Sequence, residues 1–293
     1  MPAELFALLA ALFLGSATGC SGLALRTSTT LTVLNFSVVM NAVVLWLILL
    51  VRLAGGATSP FLTFRALVPF IVAGLFVPLI ARIFFFEGVR RLGPSRTSFL
   101  SSSQPLLATM LGVLLLGESL ALTTIAGTAC IVGGVLLLAK RSPEQGAIWR
   151  WKAADVIFPL ISASLFASRD ALVRDAMFTL RDPYLAATAA ATTSAVCLVS
   201  YMTARGRWRD LVISRSNFTP LFLSGVAAGV YYFFLFQALG RGRVSVVNPL
   251  VASSPLVVLL IAIIFMRGQE LITRRLVLGG GLIMLGGFFI TTF

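Results

Sequence analysis

The chain has 293 residues, 58% hydrophobic and only 11% charged, with a mean hydropathy of +1.00; soluble domains carry about a quarter charged residues, so that class is excluded. Three dispersed cysteines, Cys20, Cys130 and Cys197, exclude a disulfide scaffold. The net charge of +13 comes from basic residues that punctuate apolar runs instead of gathering into a block. They therefore read as interfacial anchors and topology signals, and no nucleic-acid partner is expected.

Histidine is absent, which removes the commonest general base and transition-metal ligand. The ten acids form no metal-ligand, Walker or nucleophile-elbow pattern. The inventory thus points away from an enzyme, and no cofactor and no metal are expected.

Crossing a bilayer takes about 20 mostly apolar residues in a helix, because every backbone polar group must be paired within the span. Ten segments meet that test or nearly so: 5–25, 27–51, 66–88, 97–117, 119–139, 156–177, 183–204, 216–240, 244–266 and 276–293. The start Met-Pro-Ala-Glu lacks a basic region and the second apolar run follows at once, so the first segment is expected to be retained. The third carries Arg82 and Glu87, and the sixth is uncharged only as far as Ser168, before Arg169 and Asp170. Between the fifth and sixth lies a polar stretch with Pro143, Gly146, Trp149 and Trp151. The expected organisation is a five-helix repeat over 1–139, a linker over 140–154 and a second five-helix repeat over 155–293.

The halves repeat each other. At a shift of 150 residues Phe84 meets Phe234, Phe86 meets Phe236, Arg91 meets Arg241, Ser95 meets Ser245, Ser103 meets Ser253 and Pro105 meets Pro255. At a shift of 152, Glu118 meets Glu270, Gly127 meets Gly279, Ile131 meets Ile283 and Gly134 meets Gly286. A unit with an odd number of spans inserts its second copy upside down, so the expected fold is an all-α membrane protein of ten transmembrane helices in two inverted five-helix repeats. Such symmetry is the construction used for alternating access around a central site.

Pro105, a small-residue apolar run, Gly117-Glu118, Gly127 and Gly134, repeated as Pro255, Glu270, Gly279 and Gly286, resembles the EamA-type transporters of the drug/metabolite transporter superfamily. The resemblance implies a carrier in a bacterial-type inner membrane that exports amino acids or other small metabolites, with a cavity lined mainly by segments 3, 4, 8 and 9 and partly by 1 and 6. A secondary active exporter of an amino-acid-like or organic-acid metabolite is the expected function. The alternatives are a membrane-embedded enzyme or lipid-head-group transferase or flippase, and a non-transporting regulatory subunit. A small-molecule substrate and the lipid bilayer are the expected partners, with the chain monomeric. Orientation is contested: the resemblance implies cytoplasmic termini, yet fifteen basic residues fall on the face away from the termini against seven on their own side, which by the positive-inside rule makes the termini periplasmic.

Pro105 and Pro255 are expected near the middle of their segments, each removing a helical hydrogen bond and freeing a carbonyl, for a substrate site or gate or merely for a kink. Ser101 and Gln104 precede the first proline, and Asn248 and Ser253 the second; they suit a cavity, or bonds between helices. Arg82 is the sharpest candidate, because an intramembrane arginine usually faces a cavity or a partner and its fork fits a carboxylate or phosphate; snorkelling to the interface is the other reading. Its counterpart is Tyr232, within an aromatic run that suits substrate stacking or plain packing. Glu87 and Asp170 are candidates for proton coupling, though Glu87 has Arg90 and Arg91 at helical spacing and Asp170 has Arg174, which makes ion pairs the plainer reading. The four repeated glycines are expected to let the fifth and tenth segments approach neighbours closely.

Overall fold

The computed structural model describes residues 2–56, 64–76, 80–104, 106–107, 122–139, 152–242, 247, 250–265 and 273–292. Eleven α-helices lie among them: α1 Ala3–Ala24, α2 Thr30–Ala54, α3 Phe64–Phe76, α4 Arg82–Leu92, α5 Pro94–Ser101, α6 Leu122–Ala139, α7 Ile157–Ala176, α8 Pro183–Ala204, α9 Arg215–Arg241, α10 Ser254–Phe265 and α11 Arg274–Thr292. Five of the helical stretches are long and apolar enough to cross a membrane: α1, α2, α8, α9, and α7 with the 3-10 turn Ala153–Val156 that leads into it. α3 and α4 both overlap the third expected span, residues 77–79 between them lying outside the described residues, and the fourth expected span begins within the short α5.

Local chemistry sets the ends. Thr29 Oγ1 accepts the Thr32 N–H and starts α2, Asp182 accepts from Tyr184 and Leu185 and starts α8 with Pro183 at its first position, and the Asn217 side chain reaches back to the Ser214 N–H to start α9. Between α4 and α5 the chain turns at Gly93, whose φ of 88° an L side chain rarely adopts. Pro94 then opens α5 at no cost in hydrogen bonds.

Several helix pairings recur on exchange of the halves. α1 packs on α9 as α7 packs on α3 and α4; α2 on α9 as α8 on α3; α1 on α10 as α7 on α5; and α2 on α4 as α8 on α9. Equivalent helices that touch each other run antiparallel. In the pair α2 and α8, Thr188 Oγ1 donates to Leu45 O and Arg52 bonds Asp182, so one number falls as the other rises. In the pair α6 and α11, Gly134 abuts Gly279 and Ile283 while Gly286 abuts Gly127 and Ile131. The repeats are therefore inverted, and the four repeated glycines form one contact in which each copy receives the other's equivalent residues.

Detail follows the same symmetry. The Phe6 and Phe234 rings lie 6.1 Å apart and those of Phe158 and Phe84 6.2 Å apart; Arg241 lies 4.8 Å over the Phe6 ring and Arg91 4.7 Å over the Phe158 ring. The first trio closes the face that holds both ends of the chain, here called the terminal face. The second closes the opposite one, called the basic face, where the α1–α2 turn, the α4–α5 turn, Lys152 and the starts of α9 and α11 gather.

The two faces differ in their cores. Towards the terminal face one continuous cluster joins α1, α2, α3, α7, α8 and α9, including Phe6, Leu45, Phe70, Val173, Leu180 and Phe236. Towards the basic face there are two clusters: Leu34, Val38, Phe86, Leu198 and Leu221 in one, and Leu92, Phe99, Leu138, Val156, Leu276 and Ile283 in the other. Large apolar side chains such as Val51, Leu136, Leu278 and Phe265 stay exposed around the bundle, where lipid replaces water.

The expectation for Pro255 needs correction. It is the second residue of α10, a position where its missing N–H leaves nothing unpaired, so it opens a helix instead of bending one. The interruption lies just before it and is duplicated. Ser103 N–H donates to Leu100 O and Leu106 N–H to Ser103 O at 3.2 and 3.0 Å, while Ser253 N–H donates to Leu250 O and Leu256 N–H to Ser253 O at 3.2 and 3.0 Å. Each serine hydroxyl also turns back onto its own helix, at 2.7 and 2.6 Å. The two interruptions meet on the inversion axis, where Ser102 Oγ donates to the carbonyl of Ala252, its own repeat counterpart.

Candidate functional site

Between the two clusters of the basic half lies a cavity, with about 910 Å³ of space not filled by atoms when its open mouth is counted. α1 contributes Leu14, Ala17, Thr18 and Ser21, α4 Arg82, Phe85 and Phe86, and α5 with its interruption Ser98, Ser101, Ser102 and Gln104. Phe166 and Asp170 come from α7, Ala228, Tyr231 and Tyr232 from α9, and Val251, Ala252 and Ser254 from the second interruption. These are the six spans implied by the resemblance; Ser37 of α2 joins them.

Arg82 is 6% exposed and faces this cavity, so snorkelling is not its role. Its Nη1 donates to Ser37 Oγ at 2.7 Å, and its guanidinium lies 5.1 Å from the centre of the Tyr232 ring. Among the described residues no carboxylate pairs with it. A buried cation left with neutral partners costs several kcal/mol, on the order of 3 even in lipid-insertion measurements. The fold retains that cost next to an empty space.

Asp170 also lines the cavity, but its partner is not the expected Arg174, whose Nη1 donates to Leu239 O instead. Asp170 Oδ1 accepts from the neighbouring Arg169 through Nε at 2.9 Å and Nη2 at 2.6 Å, and Oδ2 accepts Gln104 Nε2 at 2.5 Å. Arg169 spends its remaining arm on Tyr232 Oη at 2.7 Å. Both ions are almost fully buried, which makes the pair a closed unit. Adjacent residues on a helix point about 100° apart, so they pair only where the surroundings offer nothing better to the charges.

Sequence reasoning misses Arg169. By spacing alone it counts among loop charges, whereas it sits mid-helix and 2% exposed; removing it leaves six basic residues on the terminal face. The signal is present, since two adjacent charges interrupt a segment that must still continue to Ala176 to span a bilayer. Ser37, Phe166 and Tyr231 are not separable by sequence from ordinary span residues.

Of the remaining candidates, Ser101, Gln104 and Tyr232 line the cavity, and Ser101 Oγ is buried without a hydrogen-bond partner among the described residues. Ser253 and Pro255 belong to the second interruption but do not line the cavity. Pro105, Asn248, Glu118, Glu270 and most of the linker fall outside the described residues. Glu87 sits at the basic face, accepting from Arg90 at 2.5 Å and Arg91 at 2.7 Å, while Arg91 continues to Asp155 at 2.8 Å. Its counterpart Gln237 takes Arg241 in the same way. This position therefore works as a clamp between a span end and its arginine, charged in one repeat and neutral in the other.

Comparison with known proteins places this geometry. Twenty-eight solved chains match. One, described only as "Crystal structure of protein", superposes with a TM-score of 0.63 at 19% identity over 99% of this chain and 96% of its own, which shows a shared fold. No curated protein matches the sequence. The profile of the EamA-like transporter family matches twice, over residues 1–140 and 156–292, once for each inverted half. The chain therefore belongs to the EamA-like transporter family of the drug/metabolite transporter superfamily, and is a multi-pass membrane transporter, not an enzyme.

Proposed function

We propose that the chain is a secondary active exporter that carries a small organic metabolite across an inner membrane by alternating access around the Arg82 cavity. The observation that carries this reading is the placement of the cavity: it adjoins the inversion axis where Ser102 meets Ala252, and it occupies one half of the bundle while a continuous core fills the other. An inverted repeat can exchange the conformations of its halves, which would move the cavity to the terminal half.

The distribution of charge supports an orientation. With Arg169 assigned to the interior, basic residues favour the basic face by fifteen to six, and the positive-inside rule puts that face in the cytoplasm. The cavity would then fill from the cytoplasm and empty on the far side. Of the two carboxyls considered for proton coupling, Asp170 lines the cavity, whereas Glu87 is engaged at the basic face.

Reconstitution into proteoliposomes tests the reading. Full-length protein is expected to speed the movement of at least one member of a panel of amino acids and organic acids over protein-free vesicles, with a rate that responds to an imposed pH gradient. No movement across the whole panel, from either side, would defeat the reading as an exporter of metabolites of this class.

A further inference from the structure

Two formally charged side chains stand among the described residues that line the cavity, Arg82 and Asp170. Asp170 is already neutralised: Arg169 holds Oδ1 through two nitrogens and Gln104 holds Oδ2. A ligand ammonium could add a hydrogen bond to Oδ2, but it would meet a carboxylate whose charge Arg169 already balances. Arg82 is in the opposite condition, with a serine hydroxyl and a tyrosine ring for partners and no counter-charge among the described residues. With Arg169 counted as the counter-ion of Asp170, the described residues at the cavity carry one unit of uncompensated positive charge, on Arg82.

Resting on the transporter reading, we propose that the cavity selects an organic monocarboxylate, a compact body of net charge −1, and discriminates against zwitterionic amino acids and organic cations. The carboxylate meets the guanidinium of Arg82, whose planar fork presents paired donors that match its two oxygens. Ser101 Oγ, buried without a partner among the described residues, adds a hydroxyl to the same space. Phe85, Phe86, Phe166 and Tyr231 surround the remainder with apolar surface, which suits a hydrocarbon or aromatic body. An amino acid that placed its carboxylate on Arg82 would bring in an ammonium, and the one carboxylate of the described lining already has its counter-ion in Arg169. A cation would add to the charge already there.

A matched series separates these outcomes: 3-phenylpropionate, phenylalanine and phenethylamine share one aromatic body and differ in charge, and hexanoate, norleucine and pentylamine do the same for an aliphatic one. Each is added to the purified full-length chain while thermal unfolding is followed, because a ligand that prefers the folded state raises Tm. A carboxylate of either series is expected to raise Tm, and its zwitterionic and cationic partners to leave it unmoved at the same concentration. Arg82→Gln, compared with its own ligand-free Tm, is expected to bind the carboxylate roughly tenfold or more weakly, and Arg82→Lys to retain part of the shift. The proposal is overturned if no carboxylate shifts Tm, if an amino acid or amine shifts it as far, or if Arg82→Gln keeps the full shift. The underlying function is read separately in vesicles. A carboxylate that binds but is not carried leaves the charge selectivity standing and removes the transporter reading, whereas preferential carriage of a zwitterion does the reverse.

Discussion

At the scale of single residues, two buried arginines with opposite standing lie at the cavity: Arg82 lines it, and Arg169 sits behind the lining residue Asp170. Arg169 has a counter-ion and a full set of partners, so it belongs to a unit whose parts depend on one another. Arg82 has no counter-ion among the described residues and is held against its own desolvation. Removing one member of a buried ion pair leaves an uncompensated charge and costs about 3–5 kcal/mol, whereas removing an uncompensated charge relieves a cost. Asp170→Asn is therefore expected to lower the melting temperature of the purified protein, and the double replacement Arg169→Met with Asp170→Leu to recover much of that loss. Arg82→Gln, by contrast, is expected to melt no lower than the native chain, although it abolishes transport. Equal melting losses for Asp170→Asn and Arg82→Gln would show that Arg82 is structural. Arg82 and Asp170 were legible in the sequence because a charge inside an apolar span is rare. The partners were not, since a bond between adjacent residues of one helix, or between spans three and two, leaves no mark in spacing.

At the scale of helices, the repeat explains which contacts can tolerate change. α6 and α11 meet through glycines placed so that a Cβ on Gly134 would come within 2.6 Å of the Gly279 carbonyl and of Ile283, and one on Gly286 within 2.5 Å of the Gly127 carbonyl. Backbone cannot yield as a flexible side chain can, so the helices would have to separate. Gly133 and Gly281 lie on the same two helices with open space where a Cβ would go. Gly134→Ala and Gly286→Ala are both expected to lower Tm, by similar amounts because the two sites are equivalent. Gly133→Ala and Gly281→Ala are expected to leave Tm unchanged or raise it, since alanine is about 1 kcal/mol better than glycine within a helix. Loss of stability in the second pair as large as in the first would mean that helix propensity and not contact governs these positions. The glycine spacing announced a close approach, and the matched numbering identified the equivalent segments. That the two segments face each other required the fold. The paired interruptions were legible only indirectly: the prolines marked their neighbourhood, but the bonds that end the first helical pieces are made by backbone and serine hydroxyls ahead of them.

At the scale of the whole molecule, the inverted repeat makes two end states available to one sequence, and the distribution of packing identifies which of them is seen. The terminal half holds one core running through six helices, and the basic half holds two, divided by the cavity. The all-α membrane class, the repeat and its inversion were readable from apolar runs and matched residues, because they depend on composition over some twenty residues at a time. The division of the core was not, because both halves use the same alanine, leucine and phenylalanine vocabulary. Access from each face measures that division directly. In a variant whose native Cys20, Cys130 and Cys197 are replaced by serine, Ser101→Cys is expected to react with a membrane-impermeant thiol reagent added on the basic face and to be protected from the terminal face. Val173→Cys, within the continuous core and fully buried, is expected to resist the reagent from both faces in the absence of substrate and to gain reactivity from the terminal face as transport proceeds. Labelling intact cells and inverted vesicles in parallel also fixes the orientation. Reaction of Ser101→Cys in inverted vesicles alone places the basic face in the cytoplasm, as its arginines require, while reaction in intact cells alone would reverse the direction in which the cavity fills.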